Sequence, residues 1–142
     1  MIKAITCINR KPGMSVTDFQ SYWRGNHSEV VKRLPNIRRY VQSHTLLSGY
    51  LKGDLAYDGI AEVWVEDVAA LRDMARTEQY ASVLADEKLF IDQSRMQLIL
   101  AHEHVIKEEA IPSDGVKNIE FLTRKAGLEV GAFQTYWRDV HG

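Results

Sequence analysis

Residues 10–27 read Arg-Lys-Pro-Gly-Met-Ser-Val-Thr-Asp-Phe-Gln-Ser-Tyr-Trp-Arg-Gly-Asn-His, and residues 124–141 read Arg-Lys-Ala-Gly-Leu-Glu-Val-Gly-Ala-Phe-Gln-Thr-Tyr-Trp-Arg-Asp-Val-His. These are two copies of one phrase, an internal repeat. Gly13 and Gly127, Phe19 and Phe133, Tyr22 and Tyr136, Trp23 and Trp137, and Arg24 and Arg138 fall in register, and each copy closes on a histidine. In the first copy Lys11-Pro12-Gly13 halts whatever precedes it, since proline fixes φ and glycine tolerates a positive one. Ser15 with Asp18 three residues on resembles a capping box. Val16, Phe19, Trp23, Val30 and Leu34 then recur at helical spacing until Pro35 ends the run. The phrase is thus a loop feeding an amphipathic helix.

Working outward from it, residues 2–9 alternate as a strand does, residues 37–47 are rich in β-branched and aromatic side chains, and residues 59–65 (Gly-Ile-Ala-Glu-Val-Trp-Val) form a further strand. Residues 67–85 read as a helix followed by a second, shorter one, and residues 96–106 as strand again. The order β-α-β-β-α-β over residues 1–107 predicts a ferredoxin-like α+β fold, one antiparallel sheet with its helices on one face. Residues 108–115, with Pro112 and Gly115, read as a linker, and residues 116–142 as a strand and partial helix opening a second module. The bare sheet face, and Phe121, Leu122, Phe133 and Trp137 of the fragment, all require cover. A homodimer or a tandem-repeat pseudo-dimer supplies it.

A length of 142 residues suits one domain plus a fragment. Apolar content of 45%, charged content of 26% and a formal net charge of -1 are those of an ordinary globular chain and give no electrostatic reason to expect nucleic acid. No signal peptide and no membrane-spanning run is present, and the lone Cys7 has no mate, which together suggest a reducing cytoplasm.

At about 100° per residue, His27 points close to Trp23 and Leu34, inside the apolar stripe of the first helix. Two readings follow: a general acid or base in a closed cleft, or a core histidine bonded to a backbone carbonyl. Alternation puts Tyr40, Gln42 and His44 on one side of their strand, and Glu62 with Trp64 on one side of the next. If both sets face the helices, imidazole, phenol and carboxylate converge on one apolar pocket, an inventory suited to moving protons on a small organic molecule. If they do not, these residues line a sheet-to-sheet contact instead. His102-Glu103-His104 sets two imidazoles on one strand face, but no third ligand follows at helpful spacing and no metal is expected. Haem rests on fold analogy alone, and the glycine-aromatic signature of RNA-binding sheets is missing.

The series Arg10-Lys-Pro-Gly-Met-Ser15, Phe19, Tyr22-Trp23, His27, Leu34-Pro35-Asn36-Ile37, Arg39-Tyr40-Val41-Gln42 and His44 resembles the EthD family. The resemblance covers most of residues 3–107 and restarts near 116. It implies a dimeric α+β barrel that needs no metal or organic cofactor. Relatives include a protein required for fuel-ether degradation, a methylmuconolactone isomerase, and fungal polyketide dehydratases and decarboxylases. In isomerase-like members a first-helix histidine and a tyrosine of the next strand are implicated, matching His27 and Tyr40. The isomerase's third-strand cysteine has no counterpart, since the cysteine here is Cys7.

The resulting expectation is a cofactor-free isomerase or lyase acting on a small hydrophobic lactone, aromatic or polyketide-like compound. His27 moves a proton, Tyr40 binds a carbonyl or enolate oxygen, and His44 and Glu62 orient or relay. Trp23, Gln42 and Trp64 complete the binding wall. A non-catalytic accessory or small-molecule binding protein would use the same pocket.

Overall fold

The computed structural model describes residues 1–53 and 55–141, in two compact units, Met1–Glu103 and His104–Gly142. In the first unit β1 (Ile2–Ile8) leads through the Pro-Gly loop into α1 (Val16–Tyr22). The helix runs on through a π-helical turn (Trp23–His27) into α2 (Ser28–Val31). Then come β2 (Ile37–His44), β3 (Gly59–Val65), α3 (Val68–Met74), α4 (Glu78–Phe90) and β4 (Gln97–Ala101). The strands order as β2-β3-β1-β4 with every neighbouring pair antiparallel, the predicted ferredoxin-like α+β arrangement.

Local chemistry explains the punctuation. Gly13 takes φ 84° in the loop before α1, where a side chain would be strained. Arg10 Nε donates to the carbonyl of Met14 across that loop at 3.0 Å. Ser15 caps α1 by accepting from the Asp18 amide at 3.0 Å, while its hydroxyl donates to the Asp18 carboxylate at 2.7 Å. The two helices expected over residues 67–85 are separated at residues 75–77, because Thr77 caps a fresh start by accepting from the Tyr80 amide. The second helix is the longer of the two, 13 residues against 7. The last strand stops at Ala101, which pairs with Lys3, one residue from the start of β1.

Ile8, Phe19, Trp23, Phe90 and Ile91 form the buried core between helices and sheet. Trp23 lies so tightly on β3 that a Cβ added at Gly59 would fall 2.3 Å from its ring. Only glycine fits at that close approach.

In the second unit, α5 (Val130–Tyr136) and a π-helical turn (Trp137–His141) reproduce the helix of the first copy, and Gly127 repeats the positive φ of Gly13 at 82°. The Arg124 guanidinium donates to the Leu128 carbonyl, as Arg10 does to Met14. Two differences stand out. Glu129 replaces the capping serine and makes no side-chain cap bond, and Trp137 is 42% exposed where Trp23 is 1%. The strand expected from residue 116 does not form among the described residues, as a strand requires a neighbour for its backbone groups. No described helix is long and apolar enough to cross a membrane.

Candidate functional site

Between the helices and the sheet lies a cavity of about 160 Å³. Strand alternation presents Ala4, Thr6 and Ile8 of β1, Tyr40 of β2, Ala61 and Val63 of β3 and Leu98 of β4 to it. Trp23, His27, Val31 and Leu34 close it from the first helix, and Leu71, Met74, Tyr80, Val83 and Glu87 from α3 and α4. The volume is below the common range of ligand pockets, roughly 300–1,000 Å³. It matches cavities that take one benzene ring, about 150 Å³.

His27 is 4% exposed and borders this cavity. Its Nδ1 lies 2.7 Å from Asp86 Oδ2, and the Tyr22 hydroxyl donates to Asp86 Oδ1, also at 2.7 Å. Phe90 packs its ring 4.9 Å from the imidazole. The partner is therefore a side-chain carboxylate from α4 and not the backbone carbonyl of the bland reading. With Nδ1–H donated to that carboxylate, the second ring nitrogen keeps its lone pair. Burial lowers the His27 pKa and the Asp86 hydrogen bond and charge raise it; the net shift is downward, so the ring is neutral at pH 7. The pairing holds the imidazole in one tautomer and orientation, a geometry that catalytic histidine–carboxylate pairs also use.

Tyr40 reaches the same cavity from β2. Its oxygen accepts from Gln42 Nε2 at 2.8 Å, the same amide group that donates to the Trp23 carbonyl at 2.8 Å. Burial raises the phenol pKa against hydrogen bonds from Gln42 and Trp23 that lower it, so Tyr40 stays a hydrogen-bond donor at neutral pH. His44 sits outside the cavity wall. Its ring packs 4.4 Å from Trp23, and Nε2 lies 3.1 Å from Gln42 Oε1. Because that Oε1 can only accept, Nε2 carries the proton. The lone pair on Nδ1 is buried without a partner among the described residues. Burial, then the charge of Arg24, push His44 down to about 4. Tyr40, Gln42 and His44 form a chain behind the wall, with only the tyrosine at the cavity.

Glu62 and Trp64 are not in this site. The register that turns Ala61 and Val63 toward the helices turns these two to the opposite face. There Lys3 Nζ bonds Glu62 at 2.9 Å and Glu103 at 2.7 Å. Trp64 Nε1 donates to Glu103 at 2.9 Å, and the Lys3 ammonium lies 4.3 Å from the Trp64 ring centroid. Among the described residues no group of three or more His, Cys, Asp or Glu side chains is placed to hold a metal ion.

Asp86 and Glu87 were not among the residues that sequence reasoning singled out. The spacing held a signal. Asp86 and Glu87 stand three and four residues after Val83 and four and three before Phe90, both of which are core positions. Burial, with the charge of Asp86 beside it, pushes Glu87 up to about 7. Its Oε2 is buried and has no partner among the described residues.

A larger open groove, about 810 Å³, runs past Asn9, Arg10, Tyr50, Asp58 and Arg95. Its polar groups serve the loops: Asp58 accepts from the Arg10 amide and guanidinium and from the Tyr50 hydroxyl.

The EthD domain profile matches residues 11–94, from the Pro-Gly loop through α4. The chain belongs to the EthD family. The profile spans the lining residues His27, Tyr40 and Glu87 of this EthD chain, and Asp86, the partner of His27. An ethyl tert-butyl ether D (EthD) family protein from Bacillus halodurans shares this fold at a TM-score of 0.60 and 16% identity, covering 73% of the present chain and 100% of its own. A dimeric ferredoxin-like protein of unknown function from Thermobifida fusca is similar at a TM-score of 0.55 and 14% identity, covering 70% and 88%. SnoaB from Streptomyces nogalater, a cofactor-independent oxygenase, is similar at a TM-score of 0.53 and 11% identity, covering 75% and 97%. Identities this low speak for the fold. No curated protein sequence matches this EthD chain significantly.

Proposed function

We propose that this EthD protein is a cofactor-independent acid–base catalyst, of isomerase or lyase type, acting on a small hydrophobic compound bound between the first helix and the sheet. The observation that carries it is the buried His27–Asp86 pair at the wall of an apolar cavity. His27 removes a proton from a carbon next to a carbonyl. The electron pair moves toward the carbonyl oxygen, and the Tyr40 hydroxyl supports the charge that develops there. Asp86 is a positioning residue: it holds the imidazole in its tautomer and stabilises the imidazolium. Trp23 walls the cavity, and Gln42 and His44 fix the hydrogen bonding of Tyr40. The active form is a homodimer or tandem pseudo-dimer in a reducing compartment, the second module beginning at about residue 116. A dimeric relative of the same fold supports this assembly, and the sheet face that carries Lys3, Glu62 and Trp64 is the surface for it.

The test is deuterium exchange in D₂O at the α-carbon of cyclic ketones and lactones, followed by proton NMR. Wild-type protein accelerates exchange, and His27→Gln, with its circular dichroism unchanged, loses at least about a hundredfold. An accessory or carrier protein would bind the same compounds and exchange none of them; a fully active His27→Gln protein would refute the assignment of the base.

A further inference from the structure

The end of α4 turns two consecutive carboxyl groups inward, and they meet different company. Asp86 is taken up by Tyr22 and His27. Glu87 lines the cavity with an oxygen that no described residue satisfies. The groups facing it are Asp86 and Tyr80 from its own helix, Tyr40 from β2 and His27 from the first helix. No lysine or arginine is among the residues lining the cavity. A carboxylate buried there has no cation to balance it, so the neutral acid is favoured. A ligand carboxylate would meet the same unbalanced surroundings.

We propose that the cavity takes an uncharged, single-ring ketone or lactone, and that Glu87 in its acid form donates a hydrogen bond, and during turnover a proton, to the ligand's oxygen. This rests on the acid–base reading above and narrows it. Carboxylated lactones and β-keto acids are excluded by charge, and polycyclic compounds by volume. The chemistry left is enolisation, isomerisation or loss of water from a neutral molecule. In the enolising step His27 takes the α-proton, the C–H pair becomes the C=C bond, the carbonyl π pair moves to oxygen, and the Glu87 proton goes to that oxygen. Imidazolium and carboxylate remain. In a ligand with a β,γ-double bond the intermediate is a dienol: the enol O–H proton returns to the Glu87 carboxylate, the C=O re-forms, the α,β-double bond forms and the γ-carbon takes the imidazolium proton, which restores both groups and yields the conjugated isomer. The elevated pKa of Glu87, about 7, keeps a large acid fraction available near neutrality.

The experiment measures dissociation constants of two ring-matched probes, acetophenone and benzoate, by NMR titration of the full chain at pH 6 and pH 8.5. Acetophenone binds roughly tenfold more weakly at pH 8.5, where Glu87 has lost the proton it donates. Benzoate binds at least about tenfold more weakly than acetophenone at both values. In Glu87→Gln, whose amide donates at every pH, acetophenone affinity becomes independent of pH. Equal affinity for the two probes, a flat wild-type profile for acetophenone, or no measurable acetophenone binding would overturn the proposal. If Glu87→Gln does not fold, the two wild-type comparisons decide. The His27 assignment fails separately, through exchange that survives in His27→Gln.

Discussion

Replacing Asp86 by asparagine removes one charge, and nothing else of comparable size, from beside His27. In the wild type, Asp86 accepts at 2.7 Å from Tyr22 and pairs at 2.7 Å with His27 Nδ1. Burial lowers the His27 pKa and Asp86 is the group opposing it. A hydrogen bond to a charged partner is worth about 1.5–3 kcal/mol, and about 1.4 kcal/mol corresponds to one pH unit. The His27 midpoint therefore falls further in Asp86→Asn, because burial is left unopposed. The tautomer changes too. An amide offers one acceptor and one donor, so if its oxygen keeps Tyr22, its NH₂ faces Nδ1 and drives the proton to Nε2. Long-range proton–nitrogen NMR of the imidazole reads both effects in one titration. The expected record is an Nδ1–H ring in the wild type and a lower midpoint with a raised Nε2–H population in the variant. A midpoint that rises or stays put, or an unchanged tautomer, would refute the view that Asp86 supplies the orientation and charge of the base. With the base reversed in direction, α-carbon exchange falls by about a hundredfold or more in the same variant.

Further expectations concern stability. His44 is held at about 4 against 6.5, so the unfolded chain binds its proton first, and stability is lost as pH falls from about 6.5 to 4. Allowing for partial exposure this amounts to about 2 kcal/mol. Urea denaturation at pH 7 and pH 4.5 should show a smaller difference for His44→Gln than for the wild type. Glu87 has the opposite sign. Its folded pKa of about 7 against 4.5 means that ionisation costs stability as pH rises through that window. Glu87→Gln consequently stabilises at pH 8 by about 2 kcal/mol relative to its effect at pH 4.5, and an equal effect at both pH values would show that the carboxyl is solvated. Gly59→Ala puts a methyl group 2.3 Å from the Trp23 ring. A loss of about 2–3 kcal/mol in chemical denaturation is expected, and a loss below about 0.5 kcal/mol would mean that the indole moves freely.

Much of the frame was legible because it is written in local chemistry. Pro12-Gly13, the Ser15–Asp18 cap and the spacing of Phe19, Trp23 and Leu34 mark the first helix without reference to anything distant, and the glycine turn and the aromatic spacing, though not the cap, recur at α5 for the same reason. The burial of His27 was readable from that spacing as well. Its partner was not. Asp86 is 59 residues away, and α4 spreads its apolar side chains around the helix, so its inward face could be found only by reference to Val83 and Phe90. Glu62 and Trp64 show a different limit. In Gly-Ile-Ala-Glu-Val-Trp-Val both alternating sets contain apolar residues, so parity by itself does not say which set meets the helices.

By itself, then, the sequence determined the order of strands and helices in the first unit, the glycine loop that starts each copy of the repeat, the serine cap of the first, and a titratable ring within an apolar stripe, since these depend on residues within a few positions of one another. Only the tertiary structure decided that Ala61 and Val63 face the cavity while Glu62 and Trp64 face away, that His44 stands behind Trp23, and that Asp86 and Glu87 complete the site. Register and helix docking set those relations. Both arise from contacts between segments tens of residues apart, where a slip of one residue along a strand exchanges one face for the other.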